Sequence, residues 1–178
     1  MIKHMTLRKS LETEKENIRS LHLTAFGKEE GEAVSKLVVE LLEDKTAQPL
    51  ISLVAEQDDE LVGHVLFTSV KVEGSKTQNG YILCPLAVAP DFQRSGIGKN
   101  LITQGLDMLK EQGAEFVLVL GDPAYYSRFG FHTDHQIKPP YELPYPEAWM
   151  VQELRSGVLD SVHGTINCAD ALSPREYW

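Results

Sequence analysis

Two cysteines in 178 residues, Cys84 and Cys168, are too few for a disulfide framework and exclude the small stapled folds of secreted proteins. Long apolar runs are missing too. None approaches the ~20 residues that cross a bilayer, and the opening Met-Ile-Lys-His-Met lacks the apolar centre of a secretory leader. These absences point to a cytoplasmic protein with no membrane partner. Positive charge is scarce: 17 Lys and Arg against 26 Asp and Glu leave a net charge of −9, which argues against nucleic acid as a partner. There is no internal repeat and no low-complexity segment. Hydrophobic residues are not scarce. At 42% of the chain they suffice for a core, and residues 1–178 read as a single domain.

The chain is organised around Leu83-Cys84-Pro85-Leu86-Ala87-Val88-Ala89-Pro90-Asp91-Phe92-Gln93-Arg94-Ser95-Gly96-Ile97-Gly98-Lys99. It reads as an apolar strand, a proline-marked break, a glycine-containing turn and a helix beginning near Ser95. That order gathers backbone N–H groups and the positive end of a helix dipole around one small volume suited to a phosphate or pyrophosphate. Arg94 and Lys99 flank the turn. A Walker loop is excluded, because Gln93 stands where its first glycine belongs and Asn100 where Ser or Thr belongs. The dinucleotide fingerprint fails as well, lacking its third glycine and its acidic residue.

Ahead of this stretch, Thr6 to Arg8 reads as a strand, and Thr13 with Glu16 as a capping box opening a helix. Gly27 interrupts that helix. A second follows from about Glu29, with Val34, Leu37, Val38, Leu41 and Leu42 on one face. Leu50–Glu56 and Leu61–Val72 form a hairpin across Gln57-Asp58-Asp59-Glu60. Turns through Glu73–Lys76 and Gln78–Gly80 lead to the strand Tyr81–Val88. After the glycine turn, Ile97, Leu101, Met108 and Leu109 form a sheet-facing stripe, Gly105 permits close packing and Gly113 caps the helix end. Phe116–Leu120 is a continuous apolar strand, so a βαβ unit places it parallel to Tyr81–Val88. Asp122 and Pro123 open a short helix that ends at Gly130. The tail is rich in proline between Pro139 and Pro146, and terminal strands are expected at Ala148–Leu154 and Val162–Cys168.

The run Gln93-Arg94-Ser95-Gly96-Ile97-Gly98, preceded by Leu-x-Val-x-Pro, resembles the acetyl-coenzyme A motif of the GNAT-type N-acetyltransferase superfamily. Tyr126-Ser127-Arg128-Phe129-Gly130-Phe131 matches a second family signature, Tyr-x-x-x-Gly-Phe, in the right order. The resemblance is carried by residues 81–131; residues 138–178 form a C-terminal loop and strands. It implies an α/β fold: a GNAT-like domain with a central, mostly antiparallel mixed sheet, helices on both faces, and a splayed pair of parallel central strands.

It also implies the activity, transfer of an acetyl group from acetyl-CoA to a primary amine by direct transfer in a ternary complex. The alternative is a non-catalytic module that binds or senses acyl-CoA. The cofactor would be held by Leu86, Ala87 and Val88 along the pantetheine arm, by Arg94, Ser95, Gly96, Ile97, Gly98 and Lys99 around the pyrophosphate, and by Tyr126. Catalysis falls to the Val88 N–H, which faces the charge developing on the thioester oxygen, and to Tyr126, a general acid for the leaving thiolate, with Tyr125 its local competitor. The carboxylate that some members carry on the central strand does not transfer, since Ile82 occupies that position. His64, Glu56, Glu73, Glu142 or a chain of waters remain as the base. The acceptor is an amine of a small molecule or of a protein, and edge strands near the C-terminus offer a surface for a homodimer. Cys84 reads as a small buried hydrophobe. His132 and His135 lack the further ligands of a zinc site, so no metal is assigned.

Overall fold

The computed structural model describes residues 5–75 and 79–178. The turns expected through Lys76 and Gln78 therefore lie in part outside the described residues. The strands are β1 (Met5–Lys9), β2 (Ile51–Gln57), β3 (Glu60–Val72), β4 (Gly80–Val88), β5 (Phe116–Leu120), β6 (Gln136–Lys138), β7 (Trp149–Glu153) and β8 (His163–Asn167). The helices are α1 (Lys15–Glu43), α2 (Ile97–Glu111) and α3 (Pro123–Tyr126). The main sheet runs β1-β2-β3-β4-β5-β7, and only its β4–β5 pair is parallel. Apolar side chains form a core on each face, one under α1 and the other under α2.

Alternation explains the two cores. In β3, His64, Leu66 and Thr68 face α1, while Val65 and Phe67 face α2. Gly105 of α2 lies directly over the Phe67 ring, which a Cβ would strike, so the close packing expected from the sequence is present. Asp58 and Asp59 carry positive φ at the β2–β3 turn, as a type I′ hairpin requires.

Gly27 adopts φ 80°, a left-handed conformation that a residue without Cβ enters freely, and α1 folds back on itself there. A straight helix of 29 residues would span about 40 Å. Here Lys15 Nζ stands 3.9 Å from Glu43 Oε1, so the first and last turns are neighbours. The two helices read in the sequence are these two limbs. The capping box is displaced, however: Glu14 rather than Glu16 reaches back, accepting the Leu11 N–H at 2.7 Å. Arg8 draws Glu14 into that position with two hydrogen bonds of 2.9 and 2.7 Å, and Glu16 pairs with Arg19 instead.

The C-terminal segment wraps the α1 face. β8 pairs with β6 and with the end of β3. Trp149 and Trp178 meet edge to face at 5.5 Å. Within the described chain β8 is thus engaged by its own subunit.

Candidate active site

The parallel pairing of β4 with β5 stops at Leu83–Val119, yet β4 runs on to Val88. The cause lies in the β3–β4 register. Val65 faces Leu86 and Phe67 faces Leu83, so β4 holds an extra residue at Cys84–Pro85. Pro85 has no N–H for a ladder, and the bulge turns the rest of β4 away from β5.

The Ala89 N–H donates to the Val62 carbonyl at 2.8 Å, which makes Gly63–Val88 a non-hydrogen-bonded pair. The main-chain groups of Val88, and by alternation those of Leu86, therefore point away from β3 into the gap that β5 has left. The Val88 carbonyl accepts the Gln93 side-chain amide at 3.1 Å. Ala87 has the opposite phase: its main chain faces β3, opposite His64, and its buried side chain lies on the α1 face.

Below the gap the chain passes through a 3₁₀ turn at Pro90–Phe92 into the glycine turn. Arg94 and Gly96 both carry positive φ, 62° and 88°, and the Ser95 hydroxyl closes the bend on the Phe92 carbonyl. Gly96 caps α2, which starts at Ile97 rather than near Ser95. The first helical bond runs from the Asn100 N–H to the Gly96 carbonyl, and the amides from Arg94 to Lys99 donate to no acceptor among the described residues.

A cavity of about 670 Å³ joins the two features. Its walls include Leu86, Val88, Arg94, Gly96, Ile97, Gly98 and Lys99, residues that the sequence reading assigned to the cofactor, together with Phe92, Gln93, Tyr125, Arg128 and Phe129. Ala87, Ser95 and Tyr126 are not part of that wall. The Tyr125 hydroxyl is 2.7 Å from the point where a Cβ on Gly98 would stand, and Arg128 lies over the Tyr125 ring at 5.0 Å. The cavity thus has a cationic mouth lined with free amides and an apolar throat.

Tyr126 lies behind Tyr125, with ring centroids 5.0 Å apart. It packs against Phe131, with ring centroids 5.7 Å apart, and over Gly121, and burial beside Tyr125 and Cys84 pushes its phenol upward. Burial likewise pushes the Cys84 thiol up to about 12, which suits a packed hydrophobe and not a nucleophile.

The four side chains considered as bases are scattered. Glu56 is tied to Arg8 at 2.7 Å. Glu73 is exposed at the end of β3, and Glu142 lines a separate depression with Tyr141 and Trp149. His64 is fully buried, hydrogen-bonded to His22 and Ser52. His132 and His135 accept local main-chain N–H groups at Asp134 and Ile137.

The Acetyltransferase (GNAT) family profile matches residues 15–131. The uncharacterized N-acetyltransferase YjhQ of Escherichia coli (strain K12) is 35% identical over 175 residues, spanning 95% of this chain and 94% of that protein. The crystal structure of the GNAT family N-acetyltransferase YhbS from Escherichia coli in complex with CoA superposes with a TM-score of 0.88 at 29% identity, covering 98% of this chain and 95% of that one. A GNAT family acetyltransferase from Brucella melitensis in complex with acetyl-CoA gives 0.77, also at 29% identity, over 95% and 98% of the two chains.

Proposed function

This chain belongs to the GNAT family of acetyltransferases, and from that premise we propose that it carries the acetyl group of acetyl-CoA to a primary amine by direct transfer in a ternary complex. The observation that supports this most is the gap. A central strand leaves its parallel neighbour after Leu83 and turns the amides of Leu86 and Val88 toward an apolar throat that begins at a cluster of unpaired N–H groups. A diphosphate joined to a long, mostly apolar thiol arm fits those parts in that order.

Acetyl-CoA supplies the acetyl group as a thioester. The amides of Arg94 through Lys99, with the α2 dipole behind them, hold the diphosphate, and Arg94, Lys99 and Arg128 add charge at the mouth. Leu86 and Val88 extend their main chain along the arm. The Val88 N–H faces the thioester oxygen; one such donor supplies about 3 kcal/mol toward the barrier. Tyr126 gives its proton to the departing sulfur, and its raised phenol keeps that proton in place until then.

Gly96→Glu places a carboxylate where the diphosphate sits. Its expected outcome is loss of acetyl-CoA binding in calorimetry, with a single cooperative thermal transition retained at a slightly lower Tm, since a side chain at φ 88° costs about 1 kcal/mol. Undiminished affinity in that variant rejects the assignment of this turn. A protein that binds acetyl-CoA yet releases no thiol with any of a broad set of primary amines would be an acyl-CoA sensor.

A further inference from the structure

The wall of the cavity carries Arg94, Lys99 and Arg128 and no carboxylate, in a chain whose acidic residues outnumber its basic ones 26 to 17. Among the described residues none of these cations is paired with an acid. Arg94 and Lys99 belong to the glycine turn and the first turn of α2, where unpaired amides already offer a seat for the diphosphate. Arg128 comes from elsewhere, the 3₁₀ turn Ser127–Phe129 that follows α3. A diphosphate on the amides leaves this third cation without an anion to meet.

The Arg128 side chain is exposed and yet held in place. Its guanidinium lies over the Tyr125 ring, 5.0 Å from the centroid, and Nε faces the Tyr125 carbonyl at 3.5 Å. The Nη groups donate to no acceptor among the described residues. Packing against the phenol occupies one face of the guanidinium and leaves its N–H fork bare. Such a fork matches the paired oxygens of a phosphate.

Tyr125 also sets the spacing. Its hydroxyl is 2.7 Å from the point where a Cβ on Gly98 would stand, at the start of α2. The bare fork and the bare amides are therefore separated by one phenol ring and its two contacts. In CoA the 5′-diphosphate and the 3′-phosphate are separated by one ribose. That 3′-phosphate is a monoester with a charge of about −1.5 to −2 near pH ~7, the densest on the molecule.

We propose that Arg128, positioned by the Tyr125 ring, binds the 3′-phosphate of the adenosine in acetyl-CoA and so selects the donor that carries this group over the same thioester without it. Arg128 is a specificity residue for the donor and takes no part in moving the acetyl group. The inference rests on the acetyl-CoA site described above and adds a second phosphate seat to it.

The test compares CoA with dephospho-CoA, which lacks only the 3′-phosphate, by calorimetry at an ionic strength of about 0.05 M. The parent protein is expected to bind CoA about 10-fold more tightly or better. Arg128→Gln should bring CoA down to the affinity of dephospho-CoA, while dephospho-CoA stays within about twofold of its parent value. Arg128→Lys keeps a charge without the planar fork and should recover part of the preference. Tyr125→Phe keeps the ring but loses the hydroxyl beside Gly98, so both affinities should fall by the same factor and the preference should survive. A spectroscopic readout separates the two seats: the ³¹P resonance of the monoester should shift on binding to the parent and not on binding to Arg128→Gln, with the diphosphate resonances shifted in both. The comparison of two ligands on the parent needs no variant. If the parent binds both alike, or Arg128→Gln weakens both alike, the inference is overturned; the second result would put Arg128 on the diphosphate instead. A parent that binds neither ligand rejects the cofactor reading itself, and the 3′-phosphate seat falls with it.

Discussion

Tyr125 and Tyr126 are adjacent in sequence and face different chemistry. Tyr125 shares the cavity wall with the glycine turn, and Tyr126 sits deeper, beside Cys84, where β4 departs from β5. Tyr126→Phe is therefore expected to lower kcat by about 100-fold while leaving the acetyl-CoA Kd within about twofold; Tyr125→Phe should chiefly weaken binding. If Tyr125→Phe abolishes turnover and Tyr126→Phe does not, the acid is the other ring. Because burial raises the Tyr126 phenol, the alkaline limb of kcat should lie above the ~10 of free tyrosine. A limb that begins below pH ~9 counts against Tyr126 as the acid. The Gly-Phe spacing singled out Tyr126 in the sequence as the proposed acid, because a motif reports the positions its backbone needs. It does not report which neighbours fill a wall, so Arg128 and Phe129 went unread. The buried His22–His64 pair went unread for another reason: a lone histidine on an apolar helix face looks like core, and its partner lies 42 residues away on a strand.

At the scale of elements, β1, the turn before α1, and β2 are joined through one guanidinium. Arg8 binds Glu14 and Glu56, and its hydrogen bonds hold the Glu14 carboxyl below the usual range. Glu14 lowered in the folded state contributes stability above its unfolded value and loses it as pH falls through the folded one. Glu14→Gln is thus expected to cost about 1 kcal/mol in urea unfolding at pH ~7, with the difference from the parent closing below pH ~3. Gly105→Ala should cost about 1–3 kcal/mol, since overpacking against Phe67 outweighs the ~1 kcal/mol that alanine adds to a helix. Long periodic elements such as α2, β3 and β5 were plain in the sequence because one side of each meets a core. β6 was not, since its three residues pair with β8, a strand far along the chain, and no local pattern records such a partner.

For the molecule as a whole, the tail is part of the core. Ile166, Ala169 and Leu172 are buried with Val38 and Leu41, and Asp44 accepts the Ala171 N–H at 2.9 Å, tying the end of α1 to the last turns. A chain ending at Ser161 should lose its single cooperative thermal transition; a sharp melt in that truncation rules out this role for the tail. The departure of β4 from β5 also acts on the whole molecule. It leaves a seam inside the sheet, where the main-chain groups of Leu86 and Val88 are turned away from β3 and β5 has already departed. If the proposed pantetheine arm lies in that seam it pairs there as a strand would, and acetyl-CoA at 100 times its Kd should add about 2.7 kcal/mol to folding and raise Tm accordingly. On the proposed binding mode the sheet borrows its last ribbon from a small molecule, so folding and substrate capture draw on the same main-chain groups.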